Sequence, residues 1–385
     1  MTDAGEPPAI PTPPIPTPIE EFVEPAVPRP GPGLPEATGW MFLVFGLHLI
    51  GGIAAILWIA FVEVTQTGST ATLRTLGNLN PAQWLMLAAG EQLVVTVLTL
   101  VLVAIRLGGR LSQPLNLSRP TLPHTVAVIL LMFPLSVLCS ELYRINQIGW
   151  KWLGTLIPAL QAFDELSSVE MVAKLAQGAG LELLILVLAV GPAINEELIF
   201  RGLLGRGLTA RWGWLPGVLM CSVMFGVVHM HPAHVLAVIP LGMALHFLYI
   251  TTRSLWAPVL LHFLNNTWAA TASKLAADGT FTQEQVDQPA SLLILLLAFL
   301  TAWSLGMVLW KSRIRYIEPD GTDWSPGFPT VEGPETGAAR RQMSQVSVRR
   351  FVVAGLVATV FHAVLFATDS QPQEPVQEQP AARAE

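Results

Sequence analysis

Asn195-Glu196-Glu197-Leu198-Ile199-Phe200-Arg201-Gly202 sets two adjacent carboxylates and an arginine at the end of a run made otherwise of Leu, Val, Ala and Ile. Ionisable side chains at membrane depth cost about 2–3 kcal/mol or more each, so they mark functional sites by default. The rest of the chain supplies that depth. Of 385 residues, 52% are hydrophobic and 12% charged, about half the usual globular share of charge. Several apolar runs reach the roughly 20 residues that cross a bilayer as a helix. These features predict an all-α fold, a polytopic transmembrane helical bundle of about 8–9 spans. The net charge of -6 says little, because much of the acid lies in the tails. Both cysteines, Cys139 and Cys221, fall inside apolar runs, which favours buried packing over a disulfide or zinc-finger framework.

Five segments follow from composition. Residues 1–38 are proline-rich, as in Pro11-Thr12-Pro13-Pro14-Ile15-Pro16, and read as a disordered tail without a cleavable signal peptide. Residues 39–176 hold N-terminal spans near 39–62, 84–105 and 124–142. An interfacial segment follows them, marked by Trp150-Lys151-Trp152. Residues 177–275 form the core that carries the Glu-Glu motif, and Pro192 is expected to kink or restart its first helix. Residues 276–367 add a span near 291–310, a basic cytoplasmic loop and a last apolar run at 351–367; residues 368–385 are a second disordered tail. With the N-terminus cytoplasmic, the inside segments hold 15 of the 21 basic residues, so the positive-inside rule places the N-terminus and the 201–211 turn in the cytoplasm.

The Glu pair divides by geometry. Helical neighbours lie about 100° apart, so Glu196 and Glu197 face different ways. Arg201 is four residues beyond Glu197, in the order that favours pairing, which makes Glu197 a structural partner. Glu196 is one face over, less paired and more desolvated, an environment suited to a general base. Glu196 lies 16 residues before Trp212 and His229 lies 17 after it, so a helical hairpin brings them to one depth. Phe225 shares the face of His229 as an apolar wall. His262 and Asn266, spaced i, i+4, share a face of a later helix. Alone, each could simply join helices by hydrogen bonds. Beside Glu196 and His229 they can act as a second base or ligand and as donors to an oxyanion. His246 precedes the Arg253 turn by seven residues and His262 follows it by nine, so His246 is a neighbour of the site at one remove. His231 and His234 read as solvated loop residues, and His48 and His124 show no partner.

The order Glu196-Glu197-x-x-x-Arg201, Phe225-x-x-x-His229, His262-x-x-x-Asn266 resembles the CPBP family of intramembrane proteases. That family takes in CAAX prenyl endopeptidases, bacteriocin self-immunity proteins and lysostaphin-resistance-like proteins. Phe200-Arg201-Gly202 and Arg253-Ser254-Leu255-Trp256-Ala257-Pro258 add to the match, which covers about residues 180–270. The resemblance implies a membrane endopeptidase cutting near the membrane surface. Glu196 and His229 would activate water, and His262 and Asn266 would stabilise the oxyanion. His246 departs from the small residues common before the third motif, which bears on pocket shape.

The sequence fixes no cofactor. Glu196, His229 and His262 are the residues that would hold a metal, and zinc suits two His and a Glu with an open position. Their spacing lacks the H-E-x-x-H arrangement of zinc peptidases. The expected partners are the lipid bilayer and a peptide or lipidated protein substrate, with no nucleic acid. The expected location is the cell membrane. Alternatives are a non-catalytic scaffold or immunity protein of the same fold, and a transporter using a buried carboxylate as proton relay, for which no internal repeat is visible.

Overall fold

A computed structural model describes residues 30–68, 79, 81–280, 288–334, 337 and 339–368. Residues 1–29 and 369–385, which carry most of both predicted tails, lie outside these.

Helix α1 (Leu34–Thr67) begins inside the segment read as tail, because Gly33 is its N-cap and a proline fills its first turn. A left-handed Gly68 ends it. Helices α2 (Pro81–Arg106) and α3 (Ser112–Leu115) follow, then α4 (Leu122–Leu156). The Trp150-Lys151-Trp152 stretch continues α4. A 3-10 segment, Pro158–Leu166, folds back on it, with Trp150 Nε1 donating to Asp164 Oδ1 at 2.8 Å. Helix α5 (Ser168–Ala176) leads to α6, which runs from Leu181 to Trp212. Then come α7 (Trp214–Val227), α8 (Pro232–Thr252), α9 (Trp256–Ala277), α10 (Leu292–Lys311) and α11 (Val348–Thr368).

Among the described residues, six helices are long and apolar enough to cross a membrane: α1, α2, α4, α6, α8 and α10. This is a polytopic helical membrane protein. The expected 8–9 spans exceed that number for physical reasons. Helix α7 has 14 residues, about 21 Å at 1.5 Å per residue, shorter than a roughly 30 Å hydrocarbon core. Helix α9 is long enough, but His262, Asn265, Asn266 and Lys274 dilute its hydropathy. The fold is also not purely α. Strands β1 (Ile314–Ile317) and β2 (Arg340–Met343) pair antiparallel within the stretch read as a basic loop.

The core helices α6, α8 and α9 are flanked by α4, with α1 and α2 packed on the α6 side and α10 and α11 against α4. Pro30–Gly33, the turns at Gly213 and Arg253, and the β ribbon gather at one end. There Arg211 donates to the carbonyls of Pro30 and Pro32, Arg206 pairs with Glu332, and Arg253 donates to the Glu332 carbonyl. Arg201 belongs to none of this. It is 1% exposed within α6, not part of a solvated turn.

Helix α6 is one continuous helix containing two π segments, Leu186–Val190 and Leu198–Gly205, on either side of Gly191–Glu197. Pro192 therefore neither breaks nor restarts it; the wider turn takes up the missing N–H. The α6–α7 turn needs Gly213, at φ 86°. Close packing across it needs Gly217, where a Cβ would lie 2.6 Å from the Thr209 backbone. Gly217→Val is expected to lower stability by about 1–3 kcal/mol through overpacking. Gly306→Ala, at a helical position with open space around it, should be neutral or slightly stabilising. Thermal unfolding in detergent compares the two.

Candidate functional site

The site grows from one carboxylate. Glu197 is 0% exposed, and its Oε1 accepts from Arg201 Nη1 at 2.9 Å and from His262 Nδ1 at 2.8 Å. The i, i+4 pairing expected with Arg201 is present even though the intervening helix is π. The contact with His262 is new. A carboxylate only accepts, so His262 carries its proton on Nδ1 and turns Nε2 elsewhere. That nitrogen lies 3.9 Å from Glu196 Oε2. Glu196 is 25% exposed at its side chain, and its Oε2 has no hydrogen-bond partner among the described residues.

Arg201 extends the network. Its Nη2 donates to the Gly242 carbonyl of α8 at 3.0 Å, and its guanidinium lies 4.5 Å from the Phe225 ring centroid. Phe225, on α7, makes edge contacts with Phe200, His229 and His262 at 5.3, 5.2 and 5.8 Å between centroids. All three sequence motifs thus meet on one buried ring. His229 reaches the site through that ring, while His262 is the residue beside Glu196. The Nδ1 of His229 donates to the Phe225 carbonyl at 3.0 Å, which leaves Nε2 as the nitrogen available for proton transfer.

Asn266 donates through Nδ2 to the Leu188 carbonyl at 3.1 Å. In a regular helix that carbonyl would be bonded by the N–H of residue 192, which is proline. Asn266 supplies a replacement donor, and α9 is fixed against α6 at the π segment. One amide hydrogen of Asn266 is thereby committed to the scaffold. His246 is buried and packs on Gly205, where a Cβ would lie 2.1 Å from its Cε1.

Sequence reasoning missed three neighbours. His231 is 1% exposed, with Nε2 3.4 Å from Asp164 Oδ1, so it is not a solvated loop residue. His234 sits on α8, its ring centroid 4.7 Å from that of His229 and its Nδ1 2.8 Å from Ser168 Oγ. Pro232 starts a new helix between these two histidines, so no helical spacing could have revealed the contact. His48 holds Glu91 at 2.6 Å between α1 and α2. The interval of 43 residues carries no signal.

Residues 179–268 match the family model of type II CAAX prenyl endopeptidase Rce1-like proteins. That segment is similar to the family, and it makes up less than a quarter of the chain. Of the curated relatives, "Putative membrane peptidase YdiL" of Bacillus subtilis (strain 168) is 34% identical over 86 residues, 22% of this chain and 35% of the relative. The chain therefore spans about a third of the length of the curated relative it matches. No solved structure matches it. The Rce1-like segment includes every motif residue around Phe225 and stops before α10 and the ribbon.

Among the described residues, no three His, Cys, Asp or Glu side chains are grouped so as to hold a metal ion. Glu196, His229 and His262 are therefore not drawn together as such a set, although His262 Nε2 stands beside Glu196. The division between the glutamates has a measurable consequence. Glu197→Gln leaves Arg201 buried beside a neutral amide and should cost about 3–5 kcal/mol, seen as a lower melting temperature and folded yield. Glu196→Gln, at a partly exposed carboxylate outside that network, should melt within about 0.5 kcal/mol of the parent.

Proposed function

We propose that the protein is an intramembrane endopeptidase that hydrolyses a peptide bond near the cytoplasmic face, with water activated by Glu196. The observation that carries this reading is the contrast within the Glu pair. Glu197 is wholly buried with Oε1 bonded to both Arg201 and His262, whereas Glu196 keeps a quarter of its side chain exposed, with Oε2 next to His262 Nε2. A general base needs a lone pair and access to water; both glutamates have an unbonded oxygen, but only Glu196 is reached by solvent.

In this mechanism Glu196 takes a proton from water as the water oxygen attacks the scissile carbonyl carbon. The developing oxyanion is held by the second amide hydrogen of Asn266, and by His262 when its Nε2 is also protonated. The carbon–nitrogen bond then breaks, and the proton passes to the leaving amine, with His229 Nε2 assisting the transfer. Glu197 orients His262, so that one carboxylate does the chemistry and the other positions a partner. Similarity to Rce1-like proteins supports a protein substrate lipidated on a cysteine near its C-terminus, delivered laterally from the bilayer.

Purified protein assayed with peptides bearing or lacking a prenylated cysteine tests this. Glu196→Gln should lose about 100-fold or more in kcat while remaining folded. Full residual cleavage by that variant would remove Glu196 as the base, and a folded parent that cleaves no peptide would favour the scaffold reading. We further infer that the N-terminus is cytoplasmic, supported by the concentration of arginines at the end that holds Pro30, Arg211, Arg253 and the ribbon. Cysteines introduced at exposed Arg110 and Arg340 should react with impermeant reagent only from the cytoplasmic side; labelling from outside would reverse the topology.

A further inference from the structure

A cavity of about 410 Å³ opens where the α6–α7 turn, the α8–α9 turn and the segment between β1 and β2 meet. Trp214, Arg253, Trp324, Ser325, Phe328 and Thr330 line it. No acidic side chain contributes to the wall.

Arg253 is the unusual member. It holds φ 43°, in the left-handed region where a helix more often ends on glycine or asparagine. Its Nη1 donates to the Glu332 carbonyl at 2.9 Å, and its guanidinium stands 4.9 Å from the Tyr316 ring centroid. Its Nε and Nη2 make no hydrogen bond among the described residues. The nearby carboxylates are committed elsewhere, Asp323 to Arg315 and Glu332 to Arg206. Burial pushes the Arg253 guanidinium below its ordinary value, against the pull of Tyr316 and of Asp323 at longer range, and Arg341 adds like charge. A cation is thus partly desolvated without a carboxylate of its own.

The two hydroxyls point to the same ligand. Ser325 Oγ accepts from the Gly327 N–H at 3.2 Å, and Thr330 Oγ1 accepts from the Glu332 N–H at 3.1 Å. Each oxygen is used as an acceptor, which leaves each O–H proton free to donate. A guanidinium and two hydroxyl donors around a space without carboxylates match a tetrahedral oxyanion. The aromatic walls leave room for an apolar body beside it.

We propose that this cavity binds a phosphate group, with Arg253 as its charged donor and Ser325 and Thr330 completing the coordination. The source is either the headgroup of an anionic phospholipid or free phosphate. Occupancy would tie the turn before α7 and the turn before α9 to the ribbon, and so brace the helices that carry Phe225, His262 and Asn266. The proposal does not depend on the peptidase reading.

Thermal unfolding of the full chain in neutral detergent tests it, titrated with inorganic phosphate or with dihexanoyl phosphatidylglycerol, against chloride at matched ionic strength. A saturable rise in melting temperature is expected, and Arg253→Gln should weaken the apparent affinity about 10-fold or more, as for loss of a charge-assisted hydrogen bond. Response to phosphate supports a soluble ligand, and response to the lipid alone supports a headgroup. Should Arg253→Gln fail to fold, the Ser325→Ala/Thr330→Val double variant decides, with weakened binding in support. Absence of a saturable shift with both probes, or an unchanged shift in the variants that fold, would overturn the site.

Discussion

One buried carboxylate oxygen holds the motif-bearing half of this molecule together. Glu197 Oε1 accepts from Arg201 on its own helix and from His262 on α9. Arg201 then reaches the Gly242 carbonyl of α8 and the Phe225 ring of α7. Four helices are fastened through a charge pair that is almost wholly excluded from solvent. Burying such a pair returns little net stability, because desolvation offsets most of the attraction. What it confers here is register. An apolar pair could fill the space, but it would not set which nitrogen of His262 faces Glu196.

Order around that pair comes from backbone carbonyls as much as from side chains. Asn266 bonds the Leu188 carbonyl that Pro192 leaves without its helical partner, and Cys221 Sγ contacts the Phe200 carbonyl at 3.0 Å. At membrane depth water cannot supply these partners, so neighbouring helices must. The motif residues therefore serve two ends at once. Some hold the irregular helix, and that irregular helix presents Glu196.

Local rules reached much of this. The i, i+4 spacing identified Glu197 with Arg201 and set Glu196 apart, and the three motifs do converge in space. Hairpin counting was less successful. It measured depth along helices but carried no information on rotation about them, so it matched Glu196 with His229 while His262 occupies the adjacent position. The π segments were illegible because no residue pattern distinguishes them from ordinary helix. The ribbon was hidden for another reason: a four-residue pairing between β1 and β2 leaves only a short alternation within a polar stretch. His48 with Glu91, and His234 with His229, arise from tertiary contact alone.

Each π turn in α6 is an α-helix carrying one residue more than its regular hydrogen bonding needs. Removing one residue from 186–190 would restore the regular ladder and turn everything beyond it by about 100°. Glu196 would leave His262, and Glu197 would leave its socket. Substitutions in this helix thus act on chemistry one side chain at a time, whereas a single-codon insertion or deletion acts on all of it together. Length, more than composition, is the heritable quantity that keeps this site assembled.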